Sequence, residues 1–203
     1  MSGLKDGLRD RTRRAVTAEI ADAAHALFVT RGYTATTMND IAAKVGLSPR
    51  SLFRYFATKE DLVIGKFELF AEEMLEALQA RPPGEAVWLS LRRLFDGFAA
   101  HADAPDKHEA AEPIQRIVFD TPALFAAYLQ KLQQVQDAVV TELLARAAAL
   151  DTPYAKDDPA PRALAAAAFG CLVAAQHAWL ASGAETSFAG ALDRAMAVVR
   201  PAR

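Results

Sequence analysis

A short basic segment in the first quarter of the chain combines side chains that can read DNA bases. The segment spans residues 48–54 and has the sequence SPRSLFR. An arginine can donate two hydrogen bonds to guanine in the major groove, and a serine hydroxyl can contact several base edges. The pattern therefore predicts base-edge contacts from four residues: Pro49, Arg50, Ser51 and Arg54.

Side chains of this kind need a packed helical unit behind them, and the preceding residues supply one. Ile41 and Val45 lie one helical turn apart and face inward in a helix. Gly46 suits the sharp turn that follows, because glycine adopts a positive φ at little cost. Ser48 can then cap the second helix, and Pro49 suits its first turn. The spacing predicts a helix-turn-helix, the unit that places a short helix in the major groove.

Residues near the starts of helices are expected to contact the DNA backbone. Thr37 and Asp40 have the three-residue spacing of a capping box, and Thr58 and Asp61 repeat this spacing before the fourth helix. Backbone N–H groups at helix starts attract anions. The expected phosphate contacts are Thr37, Ser48, Tyr55 and Lys59.

This part of the chain resembles the N-terminal domain of tetracycline-repressor (TetR) family regulators. The resemblance rests on residues 31–34, 36–38, 41–42, 46–48, 52–56 and 59–62 (RGYT, TTM, IA, GLS, LFRYF and KEDL). It implies an all-α fold in which a three-helix DNA-binding domain precedes a larger helical ligand-binding and dimerisation domain of about nine helices. One departure is Phe53, which stands where the family very often has tyrosine and which cannot donate a hydrogen bond to a phosphate.

The charge distribution supports a division of the chain. Residues 1–60 hold 10 Lys and Arg against 6 Asp and Glu, whereas residues 61–203 hold 13 against 19. The basic first part suits a domain that contacts DNA phosphates, and the acidic second part suits a domain that does not contact DNA. We expect a disordered basic arm over residues 1–10, a helix-turn-helix domain over 11–57, and a ligand-binding and dimerisation domain over 58–203.

The second part carries aromatic residues on helical stripes that could line an apolar ligand pocket. One long helix is expected from about residue 59 to 79, ended by the sequence RPPG at 81–84. In the family's architecture this helix transmits ligand binding to the DNA-reading domain. The alternative for the aromatic residues is that they are only core. The candidate pocket residues are Trp88, Phe95, Phe98, Arg116, Phe119, Phe125, Tyr128, Phe169 and Gln176.

The last two helices are apolar enough to form an interface between two copies. Residues 163–182 read ALAAAAFGCLVAAQHAWLAS, with small side chains on several faces. Two such helices from each chain would form a four-helix homodimer interface, which the resemblance also implies. The alternative is an internal pair of core helices in a monomer. The candidate interface residues are Leu172, Trp179, Phe188, Leu192 and Met196.

The resemblance implies a homodimeric regulator, commonly a repressor, that binds a palindromic double-stranded DNA operator and is released by a small molecule. Residues 120–124 and 178–183 (DTPAL and AWLASG) are similar to the mycofactocin-regulator subgroup. That similarity favours a hydrophobic effector of the fatty acyl or acyl-CoA type.

Enzyme and metal sites find little support in the sequence. The chain lacks the G-x-S-x-G, G-x-G-x-x-G and H-E-x-x-H patterns, and we expect no cofactor and no metal. Its one cysteine and the absence of a signal-peptide pattern in the first ten residues predict a cytoplasmic protein. The polar Gln176 and His177 argue against a membrane span. The alternative function is a helical small-molecule-binding protein or enzyme with a vestigial helix-turn-helix.

Overall fold

The described part of the chain consists of α-helices and their connections, which confirms the expected all-α class. The computed structural model describes residues 2–183 and 185–200, and for residues 2–11, 14, 66–69 and 105–111 it describes the backbone alone. No strand occurs in these ranges. The helices are α1 (Ser2–Arg31), α2 (Met38–Lys44), α3 (Pro49–Leu52), α4 (Lys59–Ile64), α5 (Lys66–Gln79), α6 (Val87–Arg93), α7 (Asp96–Asp103), α8 (Pro105–Asp120), α9 (Pro122–Ala149), α10 (Ala160–Ala181) and α11 (Phe188–Val198).

The chain divides into two compact units. The first comprises Met1–Lys66 and Ile117–Ala127, and the second comprises Phe67–Arg116 and Tyr128–Arg203. The first unit extends past the boundary expected at residue 58, because α4 packs against α1 and so stays with the helix-turn-helix.

The first unit is organised around the second half of α1. Ile20, Ala24 and Phe28 form a buried stripe on this helix, as the 3.6-residue period predicts. α2 and α4 pack against α1, and α3 packs against α2. Gly32 ends α1 with a φ of 87°, and its N–H donates to the Phe28 carbonyl at 3.0 Å. This is the expected end of the helix, because glycine tolerates positive φ.

Two helices differ from the expectation. α1 begins at Ser2, so residues 2–10 are helical and not a disordered arm. The single helix expected over 59–79 is interrupted at Gly65, which separates α4 from α5. A Cβ atom on Gly65 would lie 2.6 Å from the Asp61 carbonyl oxygen, so this site has room only for glycine.

Two side chains fix the ends of helices in the second unit. The Asp103 carboxylate, at the end of α7, accepts hydrogen bonds from the Phe188 N–H at 2.6 Å and the Ala189 N–H at 3.1 Å, at the start of α11. Arg146 donates to the carbonyl oxygens of Leu78 at 3.0 Å and Pro82 at 2.7 Å, where α5 ends. Both satisfy backbone groups that a helix terminus leaves unpaired.

α10 is long and apolar enough to cross a membrane if judged only by length and composition. Half of its most apolar window is buried inside the protein, and the helix packs against α6 and α11. α10 is therefore a core helix of the second unit, because a helix that crosses a membrane would need most of its surface free to contact lipid.

The residues expected at the dimer interface are instead core residues. Leu172, Trp179, Phe188, Leu192 and Met196 are each at most 3% exposed within a single chain. Burial within one chain makes these side chains part of the core, so we expect an interface on these helices to use their exposed face. The sequence left the choice of face open because α10 is apolar on both faces, and burial in one chain decides which face turns inward.

Candidate functional site

A capping box fixes the start of the first helix of the helix-turn-helix. The Thr37 hydroxyl accepts from the Asp40 N–H at 3.2 Å, and the Asp40 carboxylate accepts from the Thr37 N–H at 2.8 Å. The Thr37 hydroxyl also donates to Asp40 Oδ2 at 2.6 Å. Hydrogen bonding by the Thr37 side chain holds the pKa of Asp40 below its usual range. The same arrangement of Thr58 and Asp61 begins α4, so both predicted capping boxes are confirmed.

The turn brings the reading helix to the surface of the first unit. Gly46 has a φ of 68°, and the Leu47 N–H donates to the Ala42 carbonyl at 2.9 Å. Ser48 caps α3 by accepting from the Ser51 N–H at 3.1 Å. Helical backbone hydrogen bonds continue beyond α3, since the Phe56 N–H donates to the Leu52 carbonyl at 3.1 Å. We call residues 49–56 the reader. Ser48 caps its start, and backbone hydrogen bonds continue to its end at Phe56.

The four expected base-contact residues lie on the accessible side of this reader. Pro49, Arg50 and Arg54 are exposed and Ser51 is half-exposed, whereas Leu52 is completely buried and anchors the helix from behind. Within residues 2–183 and 185–200, neither Arg50 nor Arg54 has an ion-pair partner. Their guanidinium groups are therefore available for guanine or phosphate, as groove recognition requires.

Two of the expected phosphate contacts already have partners in the chain. The hydroxyl of Thr37 is used by its capping box, and that of Ser48 by its bond to the Ser51 N–H. A phosphate would have to share these hydroxyls with the caps. Tyr55 is half-buried and directly follows the exposed Arg54.

Lys59 makes contacts that the sequence did not indicate. Its ammonium group donates to the Tyr33 carbonyl at 2.8 Å and the Thr36 carbonyl at 3.2 Å, and it lies 4.0 Å from the centre of the Tyr33 ring. The Tyr33 hydroxyl donates to Glu60 Oε1 at 2.7 Å. We call these four residues (Tyr33, Thr36, Lys59 and Glu60) the α4 clamp. Only one of the three ammonium hydrogens of Lys59 remains for a phosphate.

The α4 clamp also shifts the ionisation of its members. Burial and the hydrogen bond to Glu60 raise the pKa of Tyr33. The bond from the Tyr33 hydroxyl lowers the pKa of Glu60. Both shifts favour a neutral tyrosine and an ionised glutamate, the states in which their hydrogen bond is strongest. No local signal could have indicated this pair, because its members are 27 residues apart in the chain.

A small apolar cavity lies in the second unit. Its volume is about 20 Å³, which is room for about one water molecule. Phe98 and Tyr128, two of the candidate pocket residues, line it. The remaining lining residues are Phe70, Ala71, Met74, Lys131, Leu132, Val135 and Leu172. The sequence did not single out α5 for the pocket, although Phe70, Ala71 and Met74 are on this helix.

The other candidate pocket residues of the second unit lie outside this lining. Phe95 and Phe169 pack edge-to-face with ring centres 5.3 Å apart, and both are buried. Gln176 is buried and accepts a hydrogen bond from the Tyr128 hydroxyl at 2.8 Å. Arg116 forms an ion pair with Glu112 and donates to the Leu180 carbonyl at 3.2 Å. Trp88 is half-exposed on α6.

The remaining two candidates, Phe119 and Phe125, belong to the first unit. Their ring centres lie 5.0 Å apart, on either side of the connection between α8 and α9. The structure thus brings Phe119 and Phe125 together as a pair in one unit and places the cavity in the other.

Comparison with known proteins gives matches along most of the chain. Residues 20–64 match the family model of bacterial regulatory proteins of the tetR family, and residues 85–203 match that of the MftR C-terminal domain. The chain is 33% identical to the HTH-type transcriptional regulator TcmR of Streptomyces glaucescens over 148 residues, 69% of this chain. That match spans 64% of TcmR, so it leaves about a third of TcmR unmatched.

Two further proteins are similar over nearly the whole chain. MftR of Mycobacterium tuberculosis is 27% identical over 178 residues, which cover 84% of this chain and 82% of MftR. The crystal structure of FadR from Bacillus subtilis in complex with stearoyl-CoA superposes with a TM-score of 0.59 at 19% identity, over 89% of this chain and 96% of FadR. The last similarity concerns the fold alone. Because the two family models match residues 20–64 and 85–203, the chain belongs to the TetR family of bacterial regulatory proteins.

Proposed function

We propose that this protein is a cytoplasmic transcriptional regulator, and not an enzyme, that binds a palindromic DNA operator as a homodimer. The observation that carries the proposal is the accessible reader, in which Arg50 and Arg54 project from a capped helix anchored by buried Leu52. A helix so placed can enter the major groove, and its arginines can donate bidentate hydrogen bonds to guanine. Repression is the action that we propose, in keeping with the family.

Fluorescence anisotropy with labelled duplexes from the region upstream of its own gene tests the proposal. The full-length protein should bind one such duplex with an affinity that falls steeply as salt rises, because phosphate contacts release counterions. Arg50→Ala should weaken binding to that duplex by about tenfold to a hundredfold for each half-site, the range expected for a bidentate base contact.

Two further variants separate base recognition from charge. Arg50→Lys keeps the positive charge but loses the planar fork, so it should retain salt-dependent binding while losing preference for the specific duplex. Arg93→Ala removes an exposed arginine from α6 in the second unit and should bind like the wild type. If the affinity for every upstream duplex equals that for random DNA at moderate salt, the result supports the alternative function, in which the helix-turn-helix is vestigial.

We propose that a small apolar effector releases the operator by binding among α5, α7, α9 and α10. These four helices contribute the residues that line the cavity, and most of those residues are apolar. An effector larger than a water molecule does not fit in about 20 Å³, so it must bind a conformation with a wider cavity. Such an effector has a higher affinity for the widened state and therefore shifts the population toward it. Widening would displace α5, which continues through Gly65 into α4 of the first unit.

A fatty acyl or acyl-CoA molecule is the effector class that we favour, since FadR of Bacillus subtilis was solved with stearoyl-CoA. Thermal unfolding with stearoyl-CoA and with coenzyme A alone provides the test. Stearoyl-CoA should raise the melting temperature and release the operator duplex, whereas coenzyme A should do neither. If both compounds act equally, recognition of an apolar chain is excluded.

A further inference from the structure

The Gln176 side chain is a fully buried carboxamide, and only one of its two polar atoms has a hydrogen-bond partner in the part of the chain that the structure describes. Its Oε1 accepts a hydrogen bond from the Tyr128 hydroxyl at 2.8 Å. Its Nε2 has no hydrogen-bond partner in the part of the chain that the structure describes. Buried amide donors in folded proteins are nearly always paired, so this one calls for a physical explanation.

This carboxamide lies next to the wall of the cavity in the second unit. Tyr128, its hydrogen-bond partner, lines the cavity, and so does Leu172, which precedes Gln176 by one turn of α10. Most of the other lining side chains are apolar, and Lys131 is the single charged one among them. An amide N–H behind an apolar wall is a neutral, directional donor, which fixes the orientation of an otherwise apolar ligand.

We propose that the Gln176 carboxamide is the polar anchor of the effector, and that the effector carries a hydrogen-bond acceptor, such as a ketone, ester or thioester carbonyl, that reaches Gln176 Nε2. The inference rests on the proposed role of the second unit in effector binding. An acceptor that reaches Nε2 makes the hydrogen bond that the protein leaves open, whereas a hydrocarbon of the same shape does not. A site built in this way discriminates strongly against the analogue that lacks the polar atom.

A pair of isosteric probes tests the anchor without knowledge of the natural effector. Acetophenone and α-methylstyrene have nearly the same shape and differ in a C=O or a C=CH2 group. Each is titrated against the full-length protein in the absence of DNA, and dissociation constants are obtained from the shift in thermal unfolding. Acetophenone should bind the wild type about tenfold more tightly, the ratio equivalent to 1.4 kcal/mol. In Gln176→Met, which keeps the side-chain length, the preference for acetophenone should be lost or reversed, because its buried carbonyl is then left without a donor.

Gln115 offers a matched control. It is also a buried glutamine whose Nε2 has no partner among the described residues, but it is on α8 and does not line the cavity. Gln115→Met should preserve the tenfold preference for acetophenone. An equal loss of preference in Gln115→Met would overturn the assignment, because the effect would then follow from removal of any buried amide.

A measurement on the wild type keeps the proposal falsifiable if Gln176→Met does not fold. The infrared carbonyl stretch of bound acetophenone, labelled with 13C at the carbonyl, should lie at lower frequency than in hexane, because a hydrogen bond weakens the C=O bond. An unshifted stretch, or no binding of either probe at millimolar concentration, overturns the anchor. The operator assay contains no effector, so failure of the anchor leaves the DNA-binding proposal intact, and failure to bind DNA leaves the probe titration interpretable.

Discussion

At the scale of single residues, Lys59 has the most informative contacts in the first unit. Its ammonium group bonds the carbonyl oxygens of Tyr33 and Thr36, which connects the start of α4 to the chain between α1 and α2. An exposed lysine that contacts a phosphate would add to DNA affinity alone. A lysine held by two carbonyls also stabilises the fold, because its removal leaves both acceptors without their charged donor.

Lys59→Met, which keeps most of the aliphatic stem, should therefore lower the free energy of unfolding by about 1–3 kcal/mol in the absence of DNA. Urea denaturation measures this change. Lys44→Met, on the exposed surface of α2, is the control and should leave the free energy of unfolding unaltered. The salt dependence of DNA binding is a separate test. If Lys59 contacted only a phosphate, the variant would change that slope by about 0.9 for each half-site and leave the free energy of unfolding as it was, contrary to the expectation.

Glu85 gives a prediction of pH dependence in the second unit. Hydrogen bonds from Arg81 and then from the Ser90 hydroxyl hold the pKa of Glu85 at about 2. A carboxyl group whose pKa is lowered on folding contributes stability that is complete above its ordinary pKa of about 4.3. That contribution is lost as the pH falls toward 2.

When the pH falls from about 5 to about 2.5, the free energy of unfolding should thus decrease more for the wild type than for Glu85→Gln, because the glutamine side chain cannot be protonated in this range. Urea denaturation at both pH values measures the difference. Glu76→Gln, on the exposed side of α5, leaves the bonds of Glu85 in place and should follow the wild type. Parallel pH profiles of the wild type and Glu85→Gln would contradict the prediction.

At the scale of elements, the break between α4 and α5 at Gly65 separates a helix of the first unit from one that lines the cavity. An added Cβ would meet the Asp61 carbonyl oxygen at 2.6 Å and Phe56 Cε1 at 3.3 Å. The first atom is backbone and cannot rotate away, so the chain itself would have to shift. The gain in helix propensity from glycine to alanine is about 1 kcal/mol, less than the upper range of overpacking costs, about 1–3 kcal/mol.

Gly65→Ala should accordingly reduce stability by up to about 2 kcal/mol, the overpacking cost less the gain in helix propensity, as measured by urea denaturation. Gly97→Ala is the matched control, because its Cβ would meet nothing closer than a carboxylate oxygen of Glu73 at 3.9 Å. This variant should be neutral or slightly stabilising. A more stable Gly65→Ala protein would show that Asp61 gives way easily, and that the break does not depend on close packing at Gly65.

At the scale of the whole molecule, the outward face of α10 is the proposed dimer interface. One stripe of exposed positions recurs every three or four residues and carries small side chains apart from one histidine: Ala163, Ala166, Gly170, Ala174, His177 and Ala181. The other exposed positions of α10 are Arg162, which pairs with Asp137, and Ala178. Small side chains allow the helices of two copies to approach closely. A two-fold dimer would present two readers, which matches the symmetry of a palindromic operator.

Ala174→Arg places a long charged side chain in the middle of this face and should convert the dimer to a monomer. Analytical ultracentrifugation measures the mass, and anisotropy should show binding to the full operator falling by at least tenfold because one half-site is lost. Ala145→Arg, at an exposed position of α9, is the control and should remain dimeric. A wild type that is monomeric at every concentration would exclude the interface altogether.

Features that depend on near neighbours in the chain could be predicted from the order of residues. The capping boxes of Thr37 and Thr58, the positive φ of Gly46 and the inward Ile41 follow from contacts within about four residues, which the order of residue types specifies. For this reason the all-α class and the exposed reader with Arg50 were predictable. The family resemblance added the expected two-part organisation.

The packing of the helices determines which of several suitable partners each side chain contacts. It turned Leu172 and Trp179 inward, although both faces of the α10 sequence are apolar, and it joined Lys59 to Tyr33 and Tyr128 to Gln176. These pairs are separated by 26 and 48 residues. Their formation depends on how whole helices pack, and a local sequence pattern carries no information about that choice because hydrophobic burial has no preferred direction.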